Sequence, residues 1–130
     1  MKQFRDTPYY ITEEGKVFRY YPERFVKNGY YVYKGNKVPR LQKRPSKHKP
    51  LNPVNKTGYE TVDIYFKGES TRFYVHRLVA EVYCDGYFEG AHVDHIDCNK
   101  SNNHYTNLQW CTKEYNHKKG TNTNYPLFQI

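Results

Sequence analysis

Pro39, Pro45, Pro50 and Pro53 punctuate a stretch from Lys34 to Lys56 that carries eight Lys/Arg and no Asp/Glu. A proline ring fixes φ and removes an N–H donor, so this stretch cannot be a regular helix or a central strand. It reads as an extended basic linker or arm. The surrounding charge is just as uneven: residues 1–57 carry 14 Lys/Arg against 4 Asp/Glu, and residues 58–130 carry 7 against 9. An overall charge of +8 points toward a polyanion, and its concentration at one end gives the two halves different tasks.

A chain of 130 residues fits one compact domain with an appendage. Only 37% of residues are apolar, but 15 Tyr and 7 Phe supply large surfaces, so the core is built on aromatics more than on aliphatics. No apolar run approaches the roughly 20 residues of a membrane span, and Met1-Lys2-Gln3-Phe4-Arg5 lacks the apolar region of a signal peptide. The expectation is a soluble protein without a membrane partner. Cys84, Cys98 and Cys111 are odd in number and lack C-x-x-C spacing, which fits a reducing cytoplasm better than a disulfide framework.

Residues 8–20 predict a hairpin closed at Glu13-Glu14-Gly15, and residues 29–33 a short β-prone run whose Tyr30, Tyr31 and Tyr33 are expected in a hairpin core. Residues 59–66 and 71–74 predict a second hairpin around Lys67-Gly68. Val75, Leu78, Val79, Val82 and Tyr83 then recur at helical spacing, with Gly86 just beyond. The last third reads as a strand over 91–96, an Asn-rich loop over 97–103, a return strand over 107–111 and a helix over 113–119. Thr112 is its N-cap and Glu114 suits its dipole. Residues after Gly120 read as a tail.

Residues 57–117 resemble the HNH endonuclease family, in particular its phage- and intron-associated homing branch. The resemblance is carried by Val93-Asp94-His95-Ile96-Asp97, Asn102-Asn103, Asn107-Leu108-Gln109-Trp110 and Glu114-Tyr115-Asn116, preceded by a TGYETV…FYVHRLVAEVY lead-in. It implies an α+β fold with a ββα-metal nuclease core, and hydrolysis of phosphodiester bonds in double-stranded DNA by nicking or double-strand cleavage. By the same resemblance His95 is the general base, and Asn107 orients it through main-chain hydrogen bonds. Asp94 and Asn116 hold a divalent metal, Mg²⁺ or Mn²⁺, and the products end in a 5′ phosphate and a 3′ hydroxyl. Adjacent strand residues point to opposite faces, which would let Asp94 hold the ion while His95 approaches a water. Asn116, 22 residues after Asp94, can reach back from the final helix; an amide and a carboxylate suit a hard cation. His117 is the competing ligand, and only one of two successive helical residues faces the site. The family has Gly where Cys98 stands; if φ is positive there, a side chain costs about 1 kcal/mol.

For holding DNA the candidates are Lys34, Lys37, Arg40, Lys43, Arg44, Lys47 and Lys49 on the basic arm, with Arg40 and Arg44 best suited to base edges. Near the site, Lys100, Asn102, Asn103, Lys113, Lys118 and Lys119 are candidates to position phosphates. His92 and His104 are expected at the surface, and His76 and Arg77 as helix-terminal structure. The domain reading is a basic, β-rich DNA-binding region over 1–56, a nuclease domain over 57–120 and a tail over 121–130. The chain would act as a monomer or homodimer in the cytoplasm, a host cell's if phage-encoded. Two rivals remain: a DNA-binding protein without catalysis that uses the ββα unit as scaffold, and a zinc-stabilised module built on the cysteines.

Overall fold

A computed structural model of the protein describes residues 1–121; from residue 122 on, the expected tail lies outside them. The chain runs β1 (Lys2–Gln3), β2 (Tyr9–Ile11), β3 (Val17–Tyr21), β4 (Arg24–Tyr33), β5 (Asn36–Arg44), β6 (Lys47–Pro50), β7 (Val54–Lys56), β8 (Tyr59–Phe66), β9 (Glu69–Tyr74), α1 (Val75–Tyr83), β10 (His92–His95), a 3-10 turn (Tyr105–Asn107), β11 (Leu108–Cys111) and α2 (Lys113–Thr121). This is an α+β fold of four antiparallel sheets, ordered β1-β2-β3-β6, β4-β5, β7-β8-β9 and β10-β11. No helix among the described residues is long and apolar enough to cross a membrane.

Hairpin chemistry explains most of the sheets. Lys34-Gly35, Thr57-Gly58 and Lys67-Gly68 each form a two-residue turn with both φ values positive, between about 50° and 89°. That is the backbone of the type I′ turn, whose twist matches the strands it joins.

The basic stretch is therefore not an unpaired linker. Residues 36–44 return along β4 as a two-stranded ribbon, residues 47–50 form an edge strand on β3, and residues 54–56 pair with β8. The prolines are accommodated because these are edges: Pro39 lies opposite Tyr30 at a register shift, and Pro50 ends β6.

One core joins the two ends of the described chain, and the β4–β5 ribbon takes no part in it. Val75, Leu78 and Val79 form the buried face of α1, and Phe4, Ile11, Val62, Ile64, Val93 and Leu108 close on it from both ends of the chain. Each such aliphatic side chain, fully withdrawn from water, is worth about 1.5–3 kcal/mol. The division at residue 56 thus falls inside a three-stranded sheet, and the residues before it share their core with those after it.

The tyrosines of β4 correct the sequence reading. Tyr30, Tyr31 and Tyr33 are exposed, because no second layer covers the ribbon among the described residues. Lys37 lies over the Tyr30 ring at 5.3 Å, Arg40 over Tyr31 at 5.9 Å and Lys34 over Tyr33 at 5.5 Å. The result is an outward surface of alternating rings and cations.

Candidate active site

The site grows from β10 and β11, where Asp94 pairs with Gln109 and His95 with Leu108. Strand alternation sends the two functional side chains to opposite faces. His95 goes inward toward α1 with Val93, and Asp94 goes toward α2. Both are buried, with 6% and 3% of their surface exposed.

The loop that follows is held by its own side chains. Asn107 Oδ1 accepts from the Asp97 N–H at 3.1 Å, and its Nδ2 donates to Asp97 Oδ1 and to the Asn102 carbonyl, both at 2.9 Å. The Asn107 carbonyl takes the Ile96 N–H at 2.8 Å. Asn107 thereby closes the loop between the two strands. Asn102 Nδ2 donates to Asp97 Oδ2 at 2.9 Å. That bond, with the Asn99 N–H, holds the Asp97 carboxyl below the usual carboxylate range. Cys98 sits at φ +64°, donating its N–H to the His95 carbonyl, so the position is left-handed and carries the side-chain cost of about 1 kcal/mol.

His95 is anchored by a residue placed elsewhere by sequence reasoning. Its Nε2 lies 2.9 Å from Asn103 Oδ1, and Asn103 Nδ2 donates to Glu60 Oε2 at 3.1 Å. A carboxylate can only accept, so the Asn103 amide presents its NH₂ to Glu60 and its oxygen to His95. Nε2 then carries the proton and Nδ1 is the basic atom. Asn103 is 3% exposed, so its assignment as a phosphate contact is corrected. A loop asparagine reads as surface from sequence alone, and here two buried partners draw it inward. The His76 ring packs 4.9 Å from that of His95 and 5.1 Å from Tyr59. Burial, then the neighbouring His95 and Arg77, pushes His76 down to about 3, so it stays neutral as a wall of the pocket.

Lys119 is the second correction. Its Nζ lies 2.9 and 2.8 Å from the two oxygens of Asp94, with the His95 carbonyl at 2.8 Å and that of Ile96 at 3.1 Å. It is buried and does not offer itself to a phosphate. Gln109 Nε2 adds a bond to Asp94 Oδ2 at 2.9 Å. The helical spacing Asn116 to Lys119 (i, i+3) puts both on one face, a signal that could have marked Lys119. Asn116 is half-buried and His117 exposed. Thr112 Oγ1 accepts the Tyr115 N–H at 3.1 Å and caps α2.

Oxygens are the only donors that Asp94, the two carbonyls and the Asn116 carboxamide can offer. The Asp94 oxygens and the two carbonyls converge on one positive centre, the Lys119 ammonium, and an all-oxygen set fits a hard divalent cation better than a soft one. Among the described residues no three His, Cys, Asp or Glu side chains cluster, and burial pushes the Cys111 thiol up to about 11, away from the thiolate that zinc takes. Of the remaining candidates, Lys100 Nζ sits 4.6 Å over the Tyr59 ring beside His95, and Asn102 is spent on Asp97. Lys113 and Lys118 are exposed on α2. Lys43 pairs with Glu23 at 3.3 Å, Lys47 lies over Tyr21 at 5.6 Å, and Lys49 and Arg44 are exposed.

Known proteins resemble this chain in sequence and in fold. The family model described as HNH endonuclease matches residues 73–118. Over 63 residues the chain is 48% identical to DNA endonuclease I-HmuI of Bacillus phage SP01, an alignment covering 48% of this chain and 36% of that protein. Over 90 residues it is 38% identical to an uncharacterized HNH endonuclease of Acanthamoeba polyphaga mimivirus, covering 68% of this chain and 26% of the relative. The solved structure "DNA binding and cleavage by the HNH homing endonuclease I-HmuI" matches with a TM-score of 0.63 at 28% identity, over 98% of this chain and 57% of that one. The chain thus spans little more than a third of the first curated relative and about a quarter of the second. Residues 73–118, which run from the end of β9 through α1, β10 and β11 into α2, belong to the HNH endonuclease family.

Proposed function

We propose that the chain is a homing-type DNA endonuclease that hydrolyses phosphodiester bonds in double-stranded DNA. The observation that carries this reading is the His95–Asn103–Glu60 relay, which leaves one imidazole nitrogen as a base with its ring fixed from behind. Nδ1 of His95 takes a proton from a water as that water attacks phosphorus in line, the P–O3′ bond breaks, and the leaving O3′ takes up a proton from solvent. The positive charge gained by the imidazole is met through Asn103 by the Glu60 carboxylate. Asp94 and Asn116 are the residues that would hold a Mg²⁺ or Mn²⁺ ion, and that ion supplies neutralisation of the charge on the phosphate and the leaving oxygen. Asn107 acts on geometry by fixing the loop that follows His95. The products carry a 5′ phosphate and a 3′ hydroxyl.

DNA is gripped by the β4–β5 ribbon. A two-stranded ribbon fits the major groove, and Lys34, Lys37, Arg40 and Arg44 are exposed on a turn-closed hairpin. Lys47 and Lys49 on the neighbouring edge strand extend the same positive surface.

Nicking of a supercoiled plasmid in Mg²⁺ tests the reading. The wild type converts it to open-circle or linear DNA, and His95→Ala lowers the rate by about 10²–10⁴. Equal rates in the two proteins would defeat the catalytic assignment of His95, and no cleavage by the wild type would leave a DNA-binding scaffold.

A further inference from the structure

A buried ammonium occupies the carboxylate assigned above to a metal ion. The Lys119 and Asp94 side chains are 5% and 4% exposed. Nζ has four oxygens within 3.1 Å and three protons to give them. Four acceptors around three donors make a cage for positive charge more than a set of directed bonds. Asp94 is also heavily engaged: two contacts go to Lys119 and a third comes from Gln109, out of about four lone-pair sites. A divalent ion on Asp94 would stand beside the ammonium in a site closed to water, where like charges repel strongly. The two cations exclude each other.

We propose that Lys119 is the resident counter-ion of the metal site: it neutralises Asp94 in the metal-free protein and gives up the carboxylate when a divalent cation binds. Metal loading and release of Lys119 are then one event. The inference rests on the reading of Asp94 as a metal ligand. It explains how this site can stay closed without its ion, since a buried carboxylate left alone is strongly destabilising. It also sets the metal affinity, because every ion that binds must first displace a well-satisfied cation. Lys119 is reached from the same helix face as Asn116, so the residue that would complete the metal's ligand set and the residue that leaves move on one element.

Two measurements test this. Loss of the free Mn²⁺ electron paramagnetic resonance signal gives the Mn²⁺ affinity of the wild type, Lys119→Met and Asp94→Asn. Lys119→Met is expected to bind Mn²⁺ at least about tenfold tighter than the wild type, and Asp94→Asn to lose that binding. Independently, the wild-type protein without metal should show a slowly exchanging lysine Nζ resonance from Lys119 that disappears on saturation with Mg²⁺. Persistence of that resonance in the Mg²⁺-loaded wild type overturns the proposal even if Lys119→Met fails to fold. Mn²⁺ affinity in a folded Lys119→Met equal to or weaker than wild type overturns it too. In both those results Asp94-dependent binding survives, so the metal reading stands. Mn²⁺ binding that does not depend on Asp94 in any of the proteins removes the metal reading, and the counter-ion role falls with it.

Discussion

Asn103→Ala isolates the anchor of His95 from everything else at the site. Asn103 gives an oxygen to the imidazole at 2.9 Å and an NH₂ to Glu60 at 3.1 Å. Truncation leaves the N–H of His95, a residue 6% exposed, without its partner, and an orphaned buried donor costs about 1–3 kcal/mol. Glu60 is half-buried and recovers part of its loss by hydration, so the net loss in stability is about 2 kcal/mol. The kinetic loss has a different origin. Without the amide oxygen neither the Nε2–H tautomer nor the ring angle is fixed. An orienting free energy of about 1.4–2.8 kcal/mol corresponds to a cleavage rate lower by about 10–100-fold. Affinity for DNA stays unchanged, since the side chain is 3% exposed. Urea unfolding gives the first quantity, and single-turnover plasmid cleavage at saturating protein the second. Cleavage by Asn103→Ala within twofold of wild type, together with the expected loss of stability, would reduce Asn103 to a structural residue. Weakened DNA binding with an unchanged cleavage rate would instead return it to the surface role first read from the sequence.

Two further outcomes follow from the geometry. His76 is held near 3 against an ordinary 6.5, so between those values the unfolded chain binds the extra proton. Stability from this residue is complete above about pH 6.5 and falls as pH drops toward 3, by at most about 1.4 kcal/mol per pH unit; His76→Phe should flatten that part of a urea-midpoint titration, and an unchanged slope would show that His76 is not the group responsible. Replacing Lys34, Lys37 and Arg40 by Ala should weaken DNA binding and lower the slope of log affinity against log salt by about 0.9 for each phosphate contact removed. Fluorescence anisotropy across a KCl series reads both, and an unaltered slope would place the DNA elsewhere.

The elements that carry the chemistry were the most legible. Alternation marked β10, the Asn-Leu-x-Trp run marked β11, and Thr112 marked the start of α2. Each has a local cause, either a period of two or a cap. The ribbon was harder because both its faces are exposed, so no alternation separates inside from outside. Its turn was nonetheless written as Lys34-Gly35, the same dipeptide form as the recognised Lys67-Gly68. Asn103 could not be read from local pattern, and for Lys119 the one local cue was its i, i+3 spacing from Asn116. An asparagine in a polar loop and a lysine following another lysine look like solvated residues. Only long-range partners, Glu60 at 43 positions away and Asp94 at 25, make their burial tolerable.

The turn at Glu13-Glu14-Gly15 abuts the loop that carries Asn103. The Glu13 carbonyl accepts the Tyr105 N–H at 2.9 Å, and a Cβ on Gly15, at φ +92°, would stand 2.8 Å from that of Asn103. The first hairpin thus acts as a wedge behind the base, and a glycine is what lets it slide in so close. A shortened protein starting at residue 57 would pull the wedge out and slacken the imidazole it braces. The anchor of His95 is thus braced from the opposite end of the chain, and the nuclease unit is not self-sufficient from residue 57 onward.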